Sequence, residues 1–201
     1  TTSLGAEDQV ITDMIARNKL PIRIATLDTG RLFSETYELI QRTESRYKIR
    51  IEIFFPEAQE VETMVIDQGI NGFFDSVENR KRCCFVRKVQ PLRLALSGAG
   101  VWITGIRREQ SENRGDFPAV EWDQTHGLAK VHPLIEWHEQ QVWEYLKTHG
   151  IPYNPLHDKG FPSIGCAPCT RAVLPGESPR AGRWWWEQGA QECGLHAASG
   201  K

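Results

Sequence analysis

The sequence predicts a single α/β domain with a mostly parallel sheet and helices on both faces. Strand-like and helix-like stretches alternate through the first two thirds of the chain, which is the pattern of strand–helix–strand units. The 201 residues are 40% hydrophobic, enough for one sizeable core. Beyond Pro152, Pro, Gly, Cys, Arg and Trp dominate, and we expect no long element there. We therefore interpret 1–150 as the α/β core of one domain and 151–201 as its loop-rich tail.

The N-terminal third predicts three helices and two strands. Residues 8–19 place apolar side chains at positions i, i+1, i+4 and i+5, as on one face of a helix. Residues 22–27 form a short apolar run, and 49–55 alternate isoleucine with charged residues, as in a strand. Helices are predicted at 31–47 and 57–68.

The middle of the chain continues the alternation. A basic helical segment at 80–90 ends where Pro91 divides it from 92–97. Parallel sheets bind ligands beyond the C-terminal ends of their strands, so we expect the site after such ends. The other predicted elements are a strand at 101–106, a polar loop at 107–127, a short strand at 130–133 and a helix at 139–148.

Composition argues against several classes of partner. The net charge is −2, so we expect no nucleic-acid partner. No apolar run approaches the ~20 residues that span a bilayer, and the polar N-terminus does not resemble a signal peptide. Residues 1–8 resemble a strand end turning into a helix, which leaves open whether the native N-terminus lies upstream. Five cysteines, an odd number, favour a reducing cytoplasm over a disulfide framework. A homo-oligomer stays open.

Four of the five cysteines come as two pairs, Cys83 with Cys84 and Cys166 with Cys169. Two separated pairs can supply four thiolates to one metal centre. Neighbours on a helix point ~100° apart, which would cramp one zinc ion, whereas an iron–sulfur cluster offers each thiolate its own iron. The spacing alone leaves a zinc ion, a cluster and unliganded thiols open.

Several cationic side chains are candidates for binding an anion. Lys88 follows the first cysteine pair, and Arg180 and Arg183 lie three apart in a glycine-containing stretch before three tryptophans. Arg107 and Arg108 follow a predicted strand end. The alternative is solvent-facing charge, with the tryptophans as core anchors.

Two further features point to chemistry with an anionic substrate. A glycine-containing turn at 3–8 could hold an anion on backbone N–H groups, or could be a plain turn with Asp8 at the helix start. The fifth cysteine, Cys193, precedes His196 by three residues. A cationic neighbourhood would lower its pKa and make it a nucleophile. The alternative is an incidental cysteine in the tail.

Together these segments resemble assimilatory adenylyl-sulfate (APS) reductases, the thioredoxin-dependent branch of the phosphoadenylyl-sulfate reductase family. The matching segments are 3–8, 27–31, 81–84, 104–111, 152–157, 164–171, 182–187 and 192–196.

This resemblance implies an adenine-nucleotide α-hydrolase-like fold and reduction of APS to sulfite and AMP, with thioredoxin as the reductant. It implies one [4Fe-4S] cluster on the four paired cysteines. Two kinds of alternative stay open. One is a different substrate, either the 3′-phosphorylated relative PAPS or both nucleotides. The other is a different activity, that of a nucleotide-dependent sulfurtransferase or ATP pyrophosphatase with a metal centre. The implied residues are Lys88, Arg180, Arg183 and His196 at the phosphosulfate, Leu27, Thr29 and Gly105 at the adenosine, and Cys193 as the nucleophile.

Overall fold

The structure is a computed structural model that describes residues 1–110 and 117–187. In chain order the elements are α1 (Ala6–Arg17), β1 (Ala25–Leu27), α2 (Ser34–Tyr47), β2 (Glu52–Phe54), α3 (Ala58–Gln68), α4 (Val77–Cys84), α5 (Gln90–Leu96), β3 (Val101–Ile103), β4 (Val120–Asp123), β5 (Leu128–Val131) and α6 (Glu139–Thr148). Among these residues no helix is long and apolar enough to cross a membrane.

The strands form two small sheets, and most of their pairings are parallel. β1 pairs with β2 in parallel, β3 pairs with β5 in parallel, and β4 joins β5 in antiparallel. This confirms the predicted α/β class with a mostly parallel sheet. Between the two sheets lie Thr1 and Thr2: the terminal ammonium of Thr1 donates to Ile103 O at 3.2 Å, and Thr2 N donates to Ala25 O at 2.7 Å.

Three apolar clusters attach the helices to this frame. Helix α1 supplies side chains to two of them, one shared with α2 and one shared with α6. The third lies between α5 and the second sheet, where Leu92 and Leu96 pack with Trp102 and Leu128. Both sheets thereby contribute their C-terminal strand ends to one side of α1, where a binding site can form.

Two sequence expectations were wrong. The polar loop predicted at 107–127 contains β4, because its four residues are too few to give a strand pattern; Gly127 (φ 66°) closes the hairpin to β5. Pro91 does not divide the helix that carries the first cysteine pair. A π-helical segment, Phe85–Val89, joins α4 to α5, and Pro91 lies in the first turn of α5.

Candidate active site and cysteine cluster

A cavity of about 320 Å³ opens where the ends of β1 and β3 meet the start of α1. Seven residues predicted for the site line it, namely Leu27, Thr29, Lys88, Gly105, Arg107, Arg180 and Arg183. Arg108 is not among the lining residues in the described chain. Cys193 and His196 lie outside the described residues. The expected site is thus largely one cavity, and its residue roles stay predictions.

The continuous helical run from α4 to α5 gives this cavity two different ends. Lys88 lies four residues after Cys84, and Leu92 four residues after Lys88. Each step is about one helical turn, so Leu92 lies roughly 12 Å along the axis from the cysteine pair. At that far end Leu92 packs with Trp102 and Leu27. The cavity therefore has a cationic end near the cysteines and an apolar end near β3.

The four paired cysteines line one smaller cavity beside the first. The C-terminal turn of α4 provides Cys83 and Cys84, and a 3-10 turn at Ala167–Cys169 provides Cys169, with Cys166 as its N-cap. Ala167 N donates to Arg31 O at 2.8 Å, which ties that turn to the end of β1. The structure thus brings together two pairs that are distant in sequence.

A wall of three residues separates the two cavities. Lys88, Arg183 and Trp184 line both of them. Arg183 is buried; its Nη1 donates to Ser163 Oγ at 3.2 Å, and its guanidinium lies 4.7 Å from the Trp184 ring centroid. Gly165 allows this approach, since a Cβ there would come within 2.3 Å of Arg183 Nη2.

The four thiols that line the smaller cavity are a donor set that a cysteine-ligated cluster can use. Within 1–110 and 117–187, no group of three or more Cys, His, Asp or Glu side chains is arranged to hold a metal ion. Arg183 Nε and Trp184 Nε1 are buried and have no hydrogen-bond partner among the described residues. Such donors would be satisfied by an anionic cluster.

The charge around the cysteines also fits a cluster. Burial, followed by the neighbouring Cys166, raises the pKa of Cys169 to about 12, and burial raises the pKa of Cys83. The protein alone therefore keeps these thiols protonated, whereas a bound metal would take them as thiolates. Arg31 and Arg87 also line this cavity and can compensate the resulting negative charge, whereas Arg80 is paired with Glu187 at 2.8 Å.

The turn at 3–8 is partly closed by its own carboxylate. Ser3 donates to Asp8 Oδ2 from its backbone N at 2.6 Å and from Oγ at 2.7 Å, and the pKa of Asp8 is raised, mainly by burial. Gly5 is the N-cap of α1 and makes no side-chain capping hydrogen bond. Anion binding at this turn and a plain turn therefore both stay predictions.

Gly105 is required at the cavity wall for a steric reason. A Cβ at this position would lie 2.4 Å from Asp8 Oδ1 and 3.1 Å from Glu7 Cβ. The strand end at Gly105 can pack against the start of α1 only without a side chain.

The two arginines after β3 are paired with carboxylates. Arg107 is buried; its Nε donates to Glu7 Oε1 at 2.7 Å and its Nη1 lies 3.4 Å from Glu109. Arg108 pairs with Glu136 and donates to Phe117 O. Of the two, Arg107 reaches the cavity, with its charge already balanced.

The sequence did not assign a role to some residues that line the cavity. His157 lines it with a buried Nε2 that has no partner in the described chain, and burial lowers its pKa. Trp102 and Thr104 line it from β3 and the residue after it. His157 and Thr104 lie in family-like segments, which is the available signal, whereas Trp102 gives none beyond its strand.

Comparison with known proteins places the chain among reductases of activated sulfate. A sequence model described as the phosphoadenosine phosphosulfate reductase domain matches residues 1–172. The adenosine 5′-phosphosulfate reductase of Allochromatium vinosum is 55% identical over 97% of this chain and 77% of its own length. The enzyme of the same name from Neisseria meningitidis is 49% identical over 97% of this chain and 80% of its own.

Solved structures agree on the fold. Phosphoadenylyl-sulfate (PAPS) reductase from Candida auris, in a phosphate complex, is 30% identical, with a TM-score of 0.72 over 86% of this chain and 81% of its own. Yeast FAD synthetase in complex with FAD is 14% identical, with a TM-score of 0.56 over 85% of this chain and 56% of its own. The second likeness concerns the fold alone.

Proposed function

The chain belongs to the phosphoadenosine phosphosulfate reductase family, and from this premise we propose that it reduces APS to sulfite and AMP in sulfate assimilation. Relatives that are 49–55% identical over nearly the whole chain carry the name adenosine 5′-phosphosulfate reductase. The reaction makes the protein an oxidoreductase that acts on sulfur.

The observation that carries this proposal is the wall shared by the two cavities. APS carries negative charge on its phosphate and its sulfate group. Two cations in the shared wall can contact both of these groups. Lys88 and Arg183 stand there, and Arg180 lines the larger cavity nearby. The apolar end at Leu27, Leu92 and Trp102 would take the adenine.

In the first chemical step, the Cys193 thiolate attacks the sulfur of the sulfate group. An S–S bond forms, the bond between that sulfur and the bridging oxygen breaks, and the electron pair leaves with AMP. Negative charge grows on the departing phosphate oxygen, where Lys88, Arg180 and Arg183 would stabilise it. Cys193 and His196 lie outside the described residues, so their roles rest on the resemblance.

In the second step a thioredoxin dithiol releases sulfite. Its first thiolate attacks the Cys193 S-sulfonate, and sulfite leaves with the S–S bonding pair. The second thiolate resolves the mixed disulfide, so thioredoxin is oxidised to its disulfide as the substrate sulfur is reduced. The four other cysteines line the smaller cavity, so the resolving thiols are expected to come from an external dithiol. A reducing cytoplasm would supply it.

Cys83, Cys84, Cys166 and Cys169 would hold one [4Fe-4S] cluster. When bound, the cluster would supply a fixed anionic centre and a covalent tie between the two cysteine pairs, with no electron transfer required of it. Lys88 and Arg183 line both cavities, so their positive charges can interact with the cluster and with the substrate.

The cations present favour APS over PAPS, whose additional 3′-phosphate needs additional positive charge. Arg31, the sequence candidate for that role, donates to Ile70 O at 3.0 Å and to Asn71 Oδ1 at 2.6 Å. It lines the smaller cavity, Arg107 in the larger one is bound by Glu7, and Arg108 pairs with Glu136. All three candidates are thus engaged elsewhere.

Intact mass spectrometry after incubation with APS, without thioredoxin, tests the proposal. We expect one added SO₃ group on the wild type and none on Cys193→Ser, with thioredoxin removing the adduct. PAPS should label the protein more slowly. A Cys193→Ser protein that still reduces APS would contradict the nucleophile assignment, and equal labelling by both nucleotides would contradict the substrate preference.

A further inference from the structure

A buried polar chain runs from the apolar end of the cavity to the edge of the second sheet. Thr104 Oγ1 lies 2.6 Å from His132 Nδ1, and His132 Nε2 lies 3.3 Å from Glu121 Oε1. Glu121 Oε1 also accepts from Lys130 Nζ at 3.1 Å. His132 is fully buried, and the Glu121 side chain is 26% exposed.

The carboxylate of Glu121 determines the direction of hydrogen bonding along this chain. A carboxylate only accepts, so the proton of the neutral His132 ring lies on Nε2 and Nδ1 is an acceptor. Lys130 lies between Glu121 and Asp123, at 3.1 and 3.9 Å, and the complete burial of His132 favours its neutral ring over a charged one. Thr104 must then donate its hydroxyl hydrogen to His132 Nδ1, and its oxygen lone pairs remain as acceptors.

Thr104 lies beside the apolar slot in which a purine would sit. Trp102 and Thr104 are two residues apart and both line the cavity, and Trp102 packs with Leu92 and Leu27. An acceptor at the rim of such a slot matches the 6-amino group of adenine, which donates. It opposes the 6-oxo group of hypoxanthine or guanine, because two acceptors would face each other.

We propose that Glu121 and His132 are positioning residues that hold the Thr104 hydroxyl as an acceptor, and that Thr104 thereby selects 6-amino over 6-oxo purine nucleotides. This inference rests on the proposed function, because it assumes that a purine nucleotide occupies the cavity. It adds to that function a determinant of nucleobase choice about which the sequence patterns are silent.

The test compares the affinities of AMP and inosine monophosphate (IMP) by calorimetry on the full-length protein with its metal centre loaded. The wild type should prefer AMP. Thr104→Val keeps the shape but removes the hydroxyl, and we expect the AMP-to-IMP affinity ratio to fall roughly tenfold, mostly through weaker AMP binding. A ratio unchanged in Thr104→Val, or a wild type that binds both equally, would overturn the inference.

Two variants at Glu121 separate positioning from general stability. Glu121→Gln keeps an oxygen that can accept from both Lys130 and His132, so the ratio should stay near the wild-type value. Glu121→Met removes that acceptor and frees the His132 tautomer, so the ratio should fall several-fold. If Glu121 had a merely structural role, Glu121→Met would weaken the binding of AMP and IMP equally, and the affinity ratio would stay constant. That result would contradict a positioning role even if Thr104→Val did not fold.

Failure of the proposed function would look different. A wild-type protein that binds neither AMP nor IMP would overturn the nucleotide site itself, and this inference with it. AMP binding with unaltered base preference in Thr104→Val and Glu121→Met would overturn only the inference.

Discussion

Two buried polar regions of this protein are built on opposite principles. At the junction of α1, α2 and α6, the Asp13 carboxylate is 1% exposed and accepts from Tyr47 Oη at 2.8 Å and Tyr145 Oη at 3.0 Å. At the wall between the two cavities, Arg183 and Trp184 bury donors that have no partner among the described residues. Satisfied polar groups of the first kind stabilise a fold, whereas unsatisfied donors of the second kind indicate a binding site.

The largest effect should come from the wall. Arg183→Ala removes a cation from both cavities, and losing a charge-assisted contact to an anion costs roughly 1.5–3 kcal/mol, or about 10–150-fold in kcat/KM for APS. Steady-state sulfite release measures it. Arg46→Ala is the control, because Arg46 is exposed and donates to His149 O far from the cavity. A variant with wild-type kcat/KM would remove Arg183 from the site.

A smaller effect, on stability, is expected at the junction. Asp13→Ala leaves two tyrosine hydroxyls without their acceptor, and we expect the free energy of unfolding to fall by roughly 2–4 kcal/mol. Glu52→Ala, which breaks the exposed pair with Arg23, should cost within about 0.5 kcal/mol. Urea unfolding measures both. Below its unfolding transition, Asp13→Ala should keep its affinity for APS; a loss of affinity would mean that the two regions are not separate.

The smallest effect is a pH dependence at the same junction. Burial and the hydrogen bond to Asp13 raise the pKa of Tyr47 to about 12. A raised tyrosine pKa means that the folded state favours the neutral phenol. Its stabilisation is complete below the unfolded value near ~10 and is lost as the pH rises through the folded value. The stability difference between wild type and Tyr47→Phe should therefore shrink between pH ~10 and ~12. A difference that grew with pH would contradict this sign.

The same contrast explains what could be predicted from the sequence. Helix α6 was predicted with the bounds that the structure shows, Glu139–Thr148, because its pattern ends in His149-Gly150. The pairing of Cys83 and Cys84 with Cys166 and Cys169 followed from spacing and resemblance. In both cases the sequence signal is local, because the end of α6 and each cysteine pair are marked by residues within a few positions of one another.

Other features depend on distant partners and gave no local signal. Arg107 and Arg183 both read as candidate ligand cations, yet Arg107 is bound by Glu7, 100 residues away, and Arg183 stands in the shared wall. Thr104 and His132 are 28 residues apart in the sequence, and no sequence motif marks their contact. Strand β4 was missed because its four residues are too short a pattern, and its pairing with β5 is what defines it.

Metal and sulfide analysis of the protein as purified tests the central claim most directly, because the claim is that the buried donors of Arg183 and Trp184 face an iron–sulfur cluster. We expect about four irons and four acid-labile sulfides per chain, with a broad absorbance near ~400 nm. Cys169→Ser should lose both, whereas Asp13→Ala should keep both in its folded fraction. About one zinc per chain without labile sulfide, or a colourless protein that still reduces APS, would contradict the account.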